Sequence, residues 1–113
     1  MNTQTQQADA EPTGWTLFCP VGQVSPDSPV GRRFGSVYVG VYELEEGGYS
    51  ALDDVCPHEF ALLSAGFAEE GKIECPLHQA LFDIRTGKCF GPLADRDLRR
   101  FEVKVEDGNI YVN

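Results

Sequence analysis

Two short segments hold the residues able to do chemistry: Cys56-Pro57-His58 and, after a gap of sixteen residues, Cys75-Pro76-Leu77-His78. Together they read C-x-H-x16-C-x2-H, two soft thiolates and two imidazoles delivered as Cys/His pairs. Four such donors suit a closed tetrahedral zinc site, although the order Cys-His-Cys-His departs from the common finger, which pairs Cys with Cys and then His with His. A one-residue spacer is also tight for two ligands converging on one ion. The alternative is that each segment serves two metals, giving its Cys to one and its His to the other. A [2Fe–2S] centre with two cysteines on one iron and two histidines on the second needs that arrangement. His58 and His78 are the only histidines in the chain, and both lie in the motif.

These segments, with the following run Gln79-Ala80-Leu81-Phe82-Asp83-Ile84-Arg85-Thr86-Gly87-Lys88, resemble the small Rieske ferredoxins that serve bacterial aromatic-ring-hydroxylating dioxygenases. The likeness runs from about Trp15 to Val112. It implies an electron carrier rather than an enzyme, a component of aromatic hydrocarbon catabolism with one Rieske [2Fe–2S] cluster. Cys56 and Cys75 would hold the iron that stays oxidised, and His58 and His78 the iron that takes the electron, with the histidine edges at the surface as the exit. Pro57, Phe60, Leu77, Gln79, Ala80, Phe82 and Pro92 would surround the cluster, with Glu59 the charged residue beside it. The implied partners are a flavin-containing, NAD(P)H-dependent ferredoxin reductase and a terminal Rieske oxygenase. The small subunit of an assimilatory nitrite reductase is a second function for such a fold, and a structural zinc module a third.

Departures from the family's high-potential members are informative. Those carry an extra cysteine in each cluster loop, where Ala61 and Leu77 stand here. They also donate two hydroxyls to the cluster from the positions held here by Ala80 and Phe82. With fewer donors to stabilise the reduced state, the potential is expected near the low end of the Rieske range, about −150 to +300 mV.

Composition bounds the rest. At 113 residues the chain is read as one domain, and its net charge of −9 disfavours nucleic acid as a partner. An acidic surface instead steers toward basic patches on other proteins. The N-terminal stretch lacks a basic start and an apolar h-region, and no run is long enough to span a membrane, so a reducing cytoplasm and no membrane partner are expected. There cysteines point to metal rather than disulfides. Cys19 and Cys89 are read as small buried hydrophobes.

The elements that must position the site are strands. Residues 1–13 read as a mobile tail and 14–113 as one domain, with a cluster-binding subdomain at about 53–92. Trp15 to Cys19 opens the fold, and Pro20 to Gly35 reads as loop or edge strand. Val37 to Leu44 alternates as a half-buried strand, Glu45 to Gly48 turns, and Tyr49 to Val55 returns into Cys56. Lys72 to Glu74 leads into the second segment and Leu81 to Ile84 leaves it. Leu98 to Val105 reads as one strand with Phe101, Val103 and Val105 on a shared face, and Asp107-Gly108 as a type I′ turn into Ile110 to Val112. Lys72, Glu74, Asp83 and Arg85 are expected to hold the loops through ion pairs. The fold class is all-β, an antiparallel β-sandwich with the metal loops as a subdomain at one end.

Overall fold

The computed structural model describes residues 14–56, 61–76, 80–90 and 96–113. Alternating apolar residues and Gly-rich turns produce eleven strands among them: β1 (Thr16–Pro20), β2 (Val30–Phe34), β3 (Val37–Glu43), β4 (Tyr49–Asp53), β5 (Phe67–Glu69), β6 (Lys72–Glu74), β7 (Leu81–Asp83), β8 (Cys89–Phe90), β9 (Arg100–Phe101), β10 (Val103–Glu106) and β11 (Asn109–Val112). Two 3₁₀ turns, Val21–Gln23 and Leu63–Ala65, complete them, with no α-helix among the described residues. No helix of the described residues is long and apolar enough to cross a membrane. The all-β antiparallel expectation is met. The expected tail at residues 1–13 lies outside the described residues.

Three antiparallel sheets form, in the orders β1-β11-β10, β2-β3-β4-β9 and β5-β6-β7-β8. One core joins the first two: Phe18, Phe34, Val39, Val41, Ala51, Phe101, Ile110 and Val112 are buried together. A second core gathers Tyr42 and Leu52 of the middle sheet with Ile73 and Phe82 of the third. The middle sheet is therefore covered on both faces. That corrects the half-buried reading of β3: Val39 through Tyr42 are buried in succession, the odd positions in one core and Tyr42 in the other. Alternation within one strand does not reveal a second covering layer.

The stretch Leu98 to Val105 is two strands rather than one. β9 pairs with β4 in the middle sheet, while β10 pairs with β11 in the first, so the chain changes sheet at Glu102. Such corners are how one strand serves two packed sheets. Phe101 is buried as expected, but Val105 lies beyond the corner and is 50% exposed. The hairpin at Asp107-Gly108 has φ of 53° and 79°, the paired positive values of a type I′ turn. Glu70-Gly71 repeats it between β5 and β6, with φ of 54° and 79°. β5 and β8, three and two residues long, have no counterpart in the sequence reading.

Candidate metal centre

Each cysteine of the motif stands at the foot of a short hairpin loop, and the two feet are built alike. The Cys56 N–H donates to the Ala61 carbonyl at 3.0 Å, and the Cys75 N–H donates to the Ala80 carbonyl at 2.8 Å. Both loops are thus closed by a bond from the cysteine to the residue five positions on. Beneath the first lies the Val55–Leu62 bridge, and beneath the second the Glu74–Leu81 rung of the β6–β7 hairpin. Both cysteines are buried, 2% and 0% exposed, in the core shared by the middle and third sheets. Their neighbours there include Ala61, Leu63, Ile73, Ala80 and Phe82.

The two loops are pressed together by an absent side chain. A Cβ on Gly66, just past the 3₁₀ turn that follows the first loop, would lie 2.0 Å from the Glu74 carbonyl oxygen and 3.1 Å from Pro76 Cδ. Only glycine lets the exit of one loop sit against the foot of the other.

The donor chemistry fits a metal cluster. Two sulfurs, one at each loop foot and both shielded from water, are the soft donors that an iron–sulfur cluster takes. No disulfide involves any of the four cysteines. Cys19 belongs to the other core, where burial raises its thiol pKa against a smaller opposing pull from Arg32, so it is remote from the motif. Cys89 is half-buried rather than buried, on β8 directly across from Phe82, with its backbone N–H on an Asp97 carboxylate oxygen at 2.9 Å. Ala80 and Phe82, expected around the cluster, are 1% and 0% exposed, and neither brings a hydroxyl. Pro57, His58, Glu59, Phe60, Leu77, His78, Gln79 and Pro92 lie outside the described residues.

A residue the sequence reading missed anchors the first loop. Asp54, two positions before Cys56, is 1% exposed. Its carboxylate accepts the Ser64 N–H at 2.7 Å and the Ser64 hydroxyl at 2.6 Å. Its main chain donates to the Tyr38 carbonyl at 2.8 Å and accepts from the Leu63 N–H at 2.8 Å. Asp54 therefore ties the strand entering the loop to the 3₁₀ turn leaving it and to β3. Room comes from Gly31 and Gly40, cross-strand partners in β2 and β3. Added Cβ atoms there would sit 2.4 Å from Asp54 Oδ2 and 2.7 Å from Oδ1. Burial raises the Asp54 pKa from 3.8 to about 6, with the two Ser64 hydrogen bonds opposing and Asp53 adding to the rise. Burial, and secondarily Asp54, pushes the Tyr42 hydroxyl well above its ordinary value. That hydroxyl is fully buried with no hydrogen-bond partner among the described residues. A paired-acid dipeptide among 18 acidic residues gives no local sign of this role.

The expected loop-holding ion pairs are mostly replaced by other contacts. Asp83 instead accepts the Arg85 N–H and the Thr86 hydroxyl, both at 3.0 Å, and so fixes the turn after β7. Arg85 pairs with Glu46 in the β3–β4 turn. The Lys72 ammonium lies 5.5 Å from the Phe90 ring centroid. Arg32 donates to the Phe18 carbonyl and lies over Phe34.

Residues 14–102 match the Rieske [2Fe-2S] domain. The anthranilate 1,2-dioxygenase ferredoxin subunit of Burkholderia cepacia is 36% identical over 101 residues, covering 88% of this chain and 91% of that protein. The ferredoxin component of the naphthalene 1,2-dioxygenase/salicylate 5-hydroxylase systems of a Ralstonia species is 40% identical over 98 residues, 87% and 93% of the two chains. In a complex of reduced oxygenase and oxidised ferredoxin in carbazole 1,9a-dioxygenase, a chain with 31% identity superposes with a TM-score of 0.78 over 87% of this chain and 91% of its own. A protein proposed as the small subunit of an NADH-dependent nitrite reductase, from Mycobacterium tuberculosis, shares the fold alone, at 23% identity and a TM-score of 0.73 over 90% and 96% of the chains. Two matched, cysteine-footed hairpin loops on an all-β scaffold and a domain match from residue 14 to 102 lead to one conclusion: the chain belongs to the Rieske [2Fe-2S] domain family, whose cofactor is one [2Fe–2S] cluster.

Proposed function

We propose that this chain is the ferredoxin of a multicomponent aromatic-ring dioxygenase, carrying single electrons from a flavin-containing, NAD(P)H-dependent reductase to a terminal Rieske oxygenase. The observation that supports it most directly is the pair of equivalent loop feet, which buries one thiol per loop beside an apolar floor. The family unit is one domain from about residue 14 to 113, with a cluster-binding subdomain at about 53–92. The chain also spans nine-tenths or more of the length of two ferredoxin subunits it resembles, 91% and 93%. A relative's structure with its oxygenase supports the partner class.

In this reading Cys56 and Cys75 hold one iron, and His58 and His78 the other. When bound, the cluster supplies one-electron storage at a potential set by charge, exposure and hydrogen bonds to sulfur. The chain's own part is to seat the thiolates at the foot of each loop, away from water, and to leave the imidazoles nearer the partner. Ala80 and Phe82 offer no hydroxyl, which keeps the potential low. Pro57, Phe60, Leu77, Gln79 and Pro92 form the contact around the imidazoles, small enough to dissociate after each transfer. The compartment is the reducing cytoplasm, where thiols stay reduced.

The test is spectroscopic and then functional. Purified protein should carry two irons per chain, and after dithionite reduction give a Rieske EPR signal. It should then pass electrons from a dioxygenase reductase to a terminal oxygenase. Stoichiometric zinc without iron would refute the cluster; a Rieske signal without transfer to any oxygenase would refute the carrier role.

A further inference from the structure

We propose that the outward face of the β5-β6-β7-β8 sheet is a docking surface for the terminal oxygenase, built to take an apolar side chain flanked by lysine or arginine. The inference deepens the carrier reading above and rests on it. Residues directly opposite in antiparallel strands point to the same side of a sheet. The register Phe67–Glu74, Glu74–Leu81, Leu81–Phe90 therefore makes one row across all four strands. The next row, Ala68–Ile73–Phe82–Cys89, faces the core, where Ile73 and Phe82 are fully buried. The first row must face out, and it does: Phe67 is 67% exposed and Phe90 39%.

The row is not a random scatter of apolar residues. It is the rung adjoining the second cysteine loop, since Glu74 precedes Cys75 and Leu81 follows Ala80. Phe67 follows Gly66, whose backbone presses on that same loop. A shallow groove of about 220 Å³ runs over it, lined by Phe67, Glu69, Glu70, Lys72, Glu74 and Leu81. Among the described residues, none of its three glutamates forms an ion pair or side-chain hydrogen bond. Its one cation, Lys72, already lies over the Phe90 ring.

These features select the occupant. Three carboxylates against one lysine, beside an exposed phenylalanine, fit a partner face with an apolar centre and basic rim, and disfavour a second copy of this acidic chain. A contact limited to the cluster loops would also be small. Transient electron-transfer contacts bury less than about 1,200 Å² in total, so one neighbouring patch is a sizeable share of such a contact. A surface continuous with one loop enlarges the contact on one side only and so fixes the partner's rotation about the loops. The oxygenase is the choice because a relative with this fold forms a complex with one.

The experiment uses the full cluster-loaded chain carrying Phe67→Ser or Glu69→Lys, both exposed and outside the two cores, with Val105→Ser on β10 as control. The two half-reactions are followed separately by stopped flow: reduction by the reductase, and reduction of a terminal oxygenase that the wild-type chain reduces. Phe67→Ser should raise the KM for the oxygenase about tenfold, as loss of an aromatic anchor does. Glu69→Lys should slow the same step and flatten its salt dependence. Potential and EPR spectrum should stay at wild-type values in both. Wild-type KM in both variants would overturn the surface, and loss confined to the reductase step would overturn its occupant. A wild-type chain that reduces no oxygenase would overturn the carrier reading, before any variant is compared.

Discussion

Asp54→Asn is the perturbation most directly worked from the structure. The amide keeps the shape of the carboxylate: its Oδ1 can accept the Ser64 N–H and its Nδ2 can donate to the Ser64 hydroxyl. What it removes is charge. Burial raises the Asp54 pKa from 3.8 to about 6. A raised folded-state pKa means that the native state holds the proton more tightly than the unfolded chain. The resulting stabilisation is fully present below pH 3.8 and lost as pH rises through about 6. The full loss is about 3 kcal/mol, and about half of it falls between pH 5 and pH 8. The amide variant does not titrate and loses nothing over this range. The melting temperature of the variant minus that of wild type should therefore increase by about 5 °C from pH 5 to pH 8, taking a 1 kcal/mol change as roughly 4 °C for a chain of this size. Thermal loss of visible absorption from the reconstituted proteins measures it. Protonation of histidines affects both proteins alike and cancels in the difference. A difference in melting temperature that is the same at both pH values would refute the buried-carboxylate account.

Four further outcomes are expected. His58→Cys or His78→Cys should shift the average EPR g toward that of an all-thiolate centre and lower the potential; an unchanged spectrum in either removes that histidine from the ligand set. Ala80→Ser with Phe82→Tyr should raise the potential by some tens of millivolts per hydroxyl, since about 59 mV is a tenfold change for one electron; film voltammetry showing no rise refutes the hydrogen-bond explanation. Leu77→Glu should slow transfer both from the reductase and to the oxygenase while leaving the spectrum intact, and wild-type rates in both steps would show that electrons leave elsewhere. Gly40→Ala, whose Cβ would lie 2.7 Å from Asp54 Oδ1, should speed loss of the cluster under chelation, and a wild-type rate of loss would mean that the Asp54 lock does not hold the first loop.

Much of this was legible because it is local. The β3–β4 and β10–β11 hairpins announce themselves through alternation and Gly-containing turns, and the Cys/His segments through spacing alone. What escaped the sequence reading depends on partners distant along the chain. β5 and β8 are too short to alternate, and exist because β6 and β7 offer them hydrogen bonds. The break at Glu102 is invisible in Phe101, Val103 and Val105, which keep perfect alternation across a change of sheet. Asp54 resembles its neighbour Asp53 until the fold brings Ser64 and two glycines around it. For the centre itself, both cysteines were readable and stand buried at the feet of the two loops, whereas the histidines and the contact residues Pro57, Phe60, Leu77, Gln79 and Pro92 fall outside the described residues.

The two loops close alike but do not stand on equal ground, and that inequality explains a buried carboxylate kept at an energetic cost. The second loop rises from a regular hairpin in which Glu74–Leu81, Ile73–Phe82 and Lys72–Asp83 pair in unbroken register. Its cysteine is supported by three rungs and by Ile73 and Phe82 in the core. The first loop has one isolated bridge, Val55–Leu62, before its exit bends into a 3₁₀ turn. Past the Leu63 N–H, which donates to the Asp54 carbonyl, the 3₁₀ turn directs its next N–H away from any strand partner, so ladder bonds cannot extend the support. Asp54 meets this deficit with side chain and main chain together, binding the Ser64 and Leu63 N–H groups and tying both to β3 through the Tyr38 carbonyl. An apolar residue could fill the same space, but it would leave the Ser64 N–H and hydroxyl without their acceptor. The charge is tolerated because the geometry of the first cysteine depends on the hydrogen bonds it accepts.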